Sequence, residues 1–157
     1  MSGPVMSGLL MSGLVTSGLV TTGPVMSGPA VRPKVELRAT GHKGRGVFAA
    51  APIAAGELLE SAPTVELGRH DTDTIADTIL DNYYFAHPAD PEGGLLVLGL
   101  SSLVNHADRP NAETTSRHVE GVGWLLELRA LRAIAPGEEL TRRYACDLWF
   151  EPEPAPG

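Results

Sequence analysis

The sequence predicts a mainly β fold, and three observations carry the prediction. From Val35 onward the apolar residues come in short runs punctuated by Gly and Pro. One of those runs, Trp124 to Ile134, alternates between apolar and charged residues. One phrase is written twice, as Ile53-Ala-Ala-Gly-Glu-Leu-Leu59 and as Ile134-Ala-Pro-Gly-Glu-Glu-Leu140.

The runs are VELRA, GVFAA, ELLESAPTVEL, LLVLGL, WLLELRALRAI and EELTRRY. Short apolar runs bounded by turn residues indicate many short strands rather than long helices. In WLLELRALRAI, Trp124, Leu126, Leu128 and Ala130 fall on one face and Glu127 and Arg129 on the other, the pattern of a half-buried strand. Each copy of the repeated phrase reads as an apolar anchor, a tight turn whose Gly accepts positive φ, and a strand restarting at Glu-x-Leu. Two such copies imply a compact β fold with related halves. One stretch departs from this pattern: Thr74 to Phe85 places Ile75, Ile79, Leu80 and Tyr83 at helical spacing behind Asp and Thr capping residues, so a short helix is expected there.

The chain has 157 residues, which suits one domain; a domain of this size buries roughly 70% of its unfolded surface. Residues 1–30 stand apart as six pentads, MSGPV, MSGLL, MSGLV, TSGLV, TTGPV and MSGPA, with no charge among them. Gly in every pentad raises the entropy lost on ordering, so a disordered tail that the domain can lose is expected. No apolar run in it reaches the roughly 18 to 20 residues of a membrane span, and the basic start of a secretory signal is missing. Residues 151–157, EPEPAPG, read as an acidic Pro-rich tail.

The formal charge of −7 lies wholly beyond residue 30. Nucleic-acid binders neutralise phosphate with clustered Lys and Arg, so no direct nucleic-acid partner is expected, whereas a basic peptide suits the balance. Cys146 is the sole cysteine, so neither a disulfide framework nor a thiolate zinc cluster can form within the chain, and a reducing, cytoplasmic setting is expected. The five histidines are scattered without ligand spacing, and no metal site is predicted.

Three segments carry chemistry. Gly44-Arg45-Gly46 follows one strand and opens another, where glycines let backbone approach a ligand closely. Ser101 to Asn111, SSLVNHADRPN, is a polar cluster directly after an apolar run. There the Asn105 amide, with its donor and its acceptor, suits an amino-acid-like ligand end, and His106 suits fixing the loop. Gly137 to Tyr144, GEELTRRY, is a strand ending in a tyrosine, with Trp149 and Phe150 beyond it. Taken singly, each segment also reads as a turn or as packed core.

Together, in this order, GRGVFAAAPIAAGELLE, GLSSLVNHADRPNA and ALRAIAPGEELTRRY resemble the SET domain of protein-lysine methyltransferases over roughly residues 34–150. The small viral and bacterial members without flanking zinc modules are the most similar; LDNYYF before the Asn-His motif, and Trp149 five residues after Tyr144, match their pattern. The resemblance implies a SET-domain (β-clip) fold of small curved sheets with short helices, its C-terminal segment tucked under a loop as a pseudoknot. It implies S-adenosylmethionine as cofactor, contacted by Gly44, Arg45, Gly46, Asn105, His106 and Trp149. Tyr144, and with it Tyr83, are implied as walls of the channel in which a substrate lysine meets the methyl group. The partner implied is a protein, histone-like in its exposed lysine, and the small members' habit of pairing implies a homodimer.

Two positions depart from the family pattern. Arg143 stands where an acidic residue often precedes the last Tyr, and Glu113 where an aromatic is sometimes found. If either distorts the channel, the alternative is a catalytically inactive SET-fold binding module. A sugar-binding or structural β-clip domain is a further alternative, one that should lack the Asn-His and terminal Tyr pairing. A lysine with its usual pKa near 10.4 must lose a proton before it attacks, and a narrow aromatic channel beside a sulfonium favours the neutral amine by desolvation and like-charge repulsion.

Overall fold

The computed structural model describes residues 33–41 and 44–145, and residues 1–30, Cys146, Trp149 and the 151–157 tail lie outside the described residues. Nine strands occur in this span: β1 (Val35–Thr40), β2 (Gly44–Ala49), β3 (Leu58–Leu67), β4 (Tyr84–Ala86), β5 (Gly94–Val97), β6 (Asn105–His106), β7 (Ala112–Val119), β8 (Gly123–Ala130) and β9 (Thr141–Arg142). One short helix, α1 (Arg69–Ile75), and two 3-10 turns, Ile79–Tyr83 and Leu100–Leu103, complete the described elements. The strands form a β1–β2 hairpin, a five-stranded sheet in the order β4-β5-β3-β8-β7, and a separate parallel pair, β6–β9. This is the mainly β architecture the sequence predicts.

The alternation along β8 is realised: Leu126, Leu128 and Ala130 are buried, with Trp124 half-buried at the strand's start. Leu128 and Ala130 join Val35, Val47, Ala49, Ile53, Val104, Ala112, Ile134 and Leu140 in one core. Burying a side chain such as Leu140 or Ile134 contributes roughly 1.5 to 3 kcal/mol relative to leaving it exposed.

The repeated phrase is a structural repeat. Ile53 and Ile134 pair as an antiparallel bridge at the centre of the domain. Gly56 N–H and Glu57 C=O bond to the backbone of Ala130, at 2.8 and 3.0 Å, and in the other half Gly137 N–H and Glu138 C=O bond to the backbone of Ala49, at 2.7 and 2.9 Å. Even the turn-closing carboxylates correspond, Glu57 accepting from Ala54 N–H and Glu138 from Ala135 N–H. Both turn glycines take positive φ, 76° at Gly56 and 84° at Gly137, a conformation that only Gly adopts without strain.

The helix expected over Thr74 to Phe85 is corrected. The Asp71 carboxylate accepts from Gly68 N–H at 3.0 Å, so the helix starts at Arg69 and ends at Ile75. Thr78 Oγ1 then donates to Ile75 C=O and accepts from Leu80 N–H, local bonds that compete with helix propagation. Tyr84 and Phe85 are drawn into β4 by pairing with Leu96 and Leu95 of β5. The sequence reading also missed β7, an edge strand of mostly polar residues in which Ala112 alone is fully buried.

Candidate active site

The site is assembled where β6, β9 and the start of β2 meet. The turn Leu100–Leu103 delivers β6, and Glu60 holds that turn: its two carboxylate oxygens accept from Leu100 N–H at 2.8 Å and Ser101 N–H at 2.7 Å. A charged acceptor on two N–H groups at the start of a turn is a strong anchor. The chain then enters β6 as the parallel partner of β9, pairing Asn105 with Thr141 and His106 with Arg142. Parallel pairing of two segments some 35 residues apart needs the crossing connection that a pseudoknot supplies.

Asn105 joins all three segments. Its Nδ2 donates to the Arg45 carbonyl at 3.1 Å and to Glu139 Oε1 at 2.7 Å. A Cβ on Gly46 would come within 2.5 Å of Glu139 Oε1 and 3.0 Å of Asn105 Nδ2, so a larger residue here would have to displace the Glu139 carboxylate from Asn105. Gly44 has φ 74° and nothing within 4 Å of where its Cβ would lie, which leaves its backbone open. Arg45 contributes its carbonyl to this arrangement while its side chain is exposed.

His106 and Tyr144 are locked together. Tyr144 N–H donates to His106 Nδ1 at 3.1 Å, which leaves the imidazole proton on Nε2, facing Asp108 Oδ1 at 3.4 Å. The two rings meet edge to face at 5.3 Å between centroids. The Tyr144 hydroxyl donates to the Val104 carbonyl at 3.1 Å. Tyr83 closes the first 3-10 turn, half-buried, and Phe85 two residues on is the member of LDNYYF that reaches the Tyr144 neighbourhood: the Arg142 guanidinium lies over the Phe85 ring at 4.3 Å and over the Tyr144 ring at 4.2 Å.

Of the predicted site residues, the structure hydrogen-bonds Arg45 to Asn105 beside Gly46 and Tyr144 to His106, the two groups adjoining through the Asn105–His106 peptide; Trp149 lies outside the described residues. Arg143 turns away from the rings and donates to the Asp108 carbonyl at 3.0 Å, and Glu113 is exposed on β7. Sequence reasoning missed Glu139, Glu60, Phe85, Arg142 and Asn111. Asn111 is buried and spans the second repeat: it donates to Glu138 Oε1 and the Glu139 carbonyl and accepts from Thr141 N–H. Glu138 is held at about 2 rather than 4.5, chiefly by the hydrogen bond from Arg132, with Asn111 and Ala135 N–H adding to it against the opposing pull of desolvation. A signal for Glu139 was present: where the first copy of the phrase has Leu58, the second has Glu139.

Residues 44–145 match the SET domain. The chain is 33% identical over 124 residues to the histone-lysine N-methyltransferase of Schizosaccharomyces pombe that is H3 lysine-37 specific, spanning 78% of this chain and 81% of that protein. The chain belongs to the SET domain family. A second relative, the Drosophila melanogaster histone-lysine N-methyltransferase ash1, is 35% identical over 134 residues, 81% of this chain and only 6% of ash1. Solved SET structures share the fold. Neurospora DIM-5, a histone lysine methyltransferase, superposes with a TM-score of 0.59 at 20% identity over 76% of this chain and 55% of that one. Chaetomium thermophilum Polycomb Repressive Complex 2, in an autoinhibited conformation bound to S-adenosylmethionine, does so with a TM-score of 0.60 at 23% identity over 72% of this chain and 15% of that one.

This SET domain is therefore an S-adenosylmethionine-dependent lysine methyltransferase, and its residues suit that cofactor. The exposed Gly44 backbone leaves room for close approach, and the Asn105 amide oxygen, which has no hydrogen-bond partner among the described residues, can accept from an amino group. Among the described residues no group of His, Cys, Asp and Glu could hold a metal ion, and no helix is long and apolar enough to cross a membrane.

Proposed function

We propose that this SET domain methylates a lysine of a histone-like protein. In this reading Gly44, Arg45, Gly46, Asn105, His106 and Trp149 hold the cofactor, and Tyr144 with Tyr83 walls the lysine channel. The observation that carries it is the Asn105 amide bonded at once to Arg45 and to Glu139, with Tyr144 pinned to His106 beside it, so the residues assigned to cofactor and to lysine form one connected unit. The relatives named above act on histones, and a formal charge of −7 favours a basic protein over a nucleic acid.

S-adenosylmethionine supplies an electrophilic methyl group on a positive sulfonium. The residues of the chain orient the acceptor. With its proton committed to Val104, the Tyr144 oxygen is an acceptor for the amine N–H, which aims the nitrogen lone pair at the methyl carbon. The lysine would lose its proton before attack, favoured by a desolvating channel, so the chain would need no strong base, and bound S-adenosylmethionine would supply the methyl group.

The single cysteine supports kinship with the small SET proteins that lack zinc modules, and that kinship in turn supports a homodimer and a cytoplasmic location. Light scattering at about twice the chain mass would bear out the dimer. The reading as a whole is tested by incubating the protein with labelled S-adenosylmethionine and recombinant histone H3, then mapping the label by mass spectrometry. Label on a lysine of H3 supports it; no label on H3 from a preparation that does label lysines in a host lysate overturns the histone-like substrate.

A further inference from the structure

Where the first copy of the repeated phrase has an apolar residue, Leu58, which is exposed, the second has a charged one, Glu139, which is half-buried. The exchange serves Asn105. Gly46 lacks the Cβ that would come within 2.5 Å of Glu139 Oε1, so the carboxylate lies against the β2 backbone and accepts from Asn105 Nδ2 at 2.7 Å. The Arg45 carbonyl accepts from the same nitrogen at 3.1 Å.

We infer that Glu139 is the positioning residue that makes Asn105 a reader of amino groups: by holding the NH2 of the amide, it commits the amide oxygen to the ligand. The inference deepens the proposed cofactor reading and rests on its placing of Asn105 at the amino-acid end of S-adenosylmethionine. A primary amide donates on one side and accepts on the other, and a half-turn about its last bond exchanges the two. The Arg45 carbonyl and the Glu139 carboxylate are both acceptors, so the observed orientation gives each N–H a partner. The reversed one would set the amide oxygen against two further acceptors.

Of the two locks, the carboxylate is the stronger, because its bond is the shorter and is charge-assisted. With Oδ1 fixed as an acceptor, a ligand ammonium satisfies it, whereas a ligand carrying no donor at that carbon leaves a polar atom unpaired. The backbone of Glu139 is held independently of its side chain: its carbonyl accepts from Asn111 Nδ2 at 2.8 Å, and it bridges Phe48 of β2. A change at the carboxylate therefore alters the lock on Asn105 and leaves the strand in place.

Calorimetry on the full chain with two probes tests this: S-adenosylhomocysteine, and its desamino analogue in which hydrogen replaces the ammonium. Wild type should prefer the first by about tenfold or more, the worth of a hydrogen bond to a charged group. In Glu139→Leu, which places the residue of the first copy in the second, and in the unbranched Glu139→Met, the preference should shrink to about threefold or less, chiefly through weaker binding of S-adenosylhomocysteine. Glu139→Gln can still turn a carbonyl toward the Asn105 NH2 and should keep most of the preference. Melting curves identify the folded variants. An unchanged preference in folded Glu139→Leu or Glu139→Met overturns the inference, as does an equal weakening of both probes, the mark of a merely structural carboxylate. Loss of the preference in folded Glu139→Gln overturns it too, since charge rather than amide orientation would then do the reading. Equal affinity of wild type for the two probes overturns the assignment of Asn105 to the amino-acid end and this inference with it, whereas a wild-type preference that survives in the Leu or Met variant overturns this inference alone.

Discussion

Ile53 and Ile134 exchange both of their backbone hydrogen bonds, N–H to C=O at 3.1 Å in one direction and 3.0 Å in the other, with side chains only 3% and 2% exposed. Each begins one copy of the repeated phrase, so the two halves of the domain are joined where they are most alike. Because Leu140 lies in the same core and leads directly into β9, stability at this bridge and geometry at the site are coupled.

Ile134→Ala should destabilise the domain by about 2 to 5 kcal/mol, and Ile53→Ala by a similar amount, through lost burial and the cavity left behind. Since the residues touch, the double variant should lose less than the sum of the two. Urea melts of the three variants measure this. Strict additivity would contradict the shared core.

Acid should weaken the second repeat through Glu138. Its folded pKa of about 2 lies below the ordinary 4.5, so the carboxylate stabilises the fold fully above about 4.5, and the contribution is lost as pH falls from there toward about 2. In Glu138→Gln that loss is already made. The stability gap between wild type and Glu138→Gln, read from urea melts, should be widest at neutral pH and shrink below about 4.5; a gap that persists unchanged to pH 2 contradicts the Arg132–Glu138 pairing.

The parts of this protein that were legible in its sequence are those where periodicity or repetition carries physics. The alternation of Leu126, Leu128 and Ala130 marked β8, and the doubled Ile-x-x-Gly-Glu phrase marked two equivalent turns. The joint order of Gly44 to Gly46, Asn105 and Tyr144 marked the family to which the chain belongs. What stayed hidden depends on partners distant in the chain. β7 carries almost no apolar signal because it is an edge strand. Glu60 looks like any surface carboxylate until the Leu100 turn folds onto it, and Arg142 looks like any surface cation until Phe85 and Tyr144 close around it. The helix expected at Thr74 gave way because Thr78 offers competing local bonds and β5 claims Tyr84 and Phe85.

Cofactor affinity should depend on the support of β6 as well as on its ligating residues. Asn105→Ala should weaken S-adenosylmethionine binding by about tenfold or more, the loss expected for an amide bonded to a charged partner. Trp149→Ala should weaken it too, by removing an aromatic contact worth about 0.5 to 1.5 kcal/mol. Glu60→Ala, which touches no ligand in this reading, should also weaken binding by freeing the Leu100 and Ser101 N–H groups and loosening the turn that delivers Asn105. Calorimetry on the three variants decides. Wild-type affinity in Asn105→Ala would contradict the cofactor assignment, and wild-type affinity in a stable Glu60→Ala would contradict the positioning role.

The claim that the Tyr144 hydroxyl orients the acceptor amine is tested by single-turnover methyl transfer in Tyr144→Phe. That change removes one oxygen and keeps the ring that packs on His106 and Arg142. The Val104 carbonyl loses its donor, so a stability loss of about 1 kcal/mol is expected while the fold and cofactor affinity persist. A well-placed polar group in a dry site is worth roughly 3 to 4 kcal/mol of barrier, so the rate of label transfer from S-adenosylmethionine to lysine should fall by about a hundredfold or more. A rate within about twofold of wild type in the same folded, cofactor-binding preparation would contradict the account and return Tyr144 to the role of a packing residue.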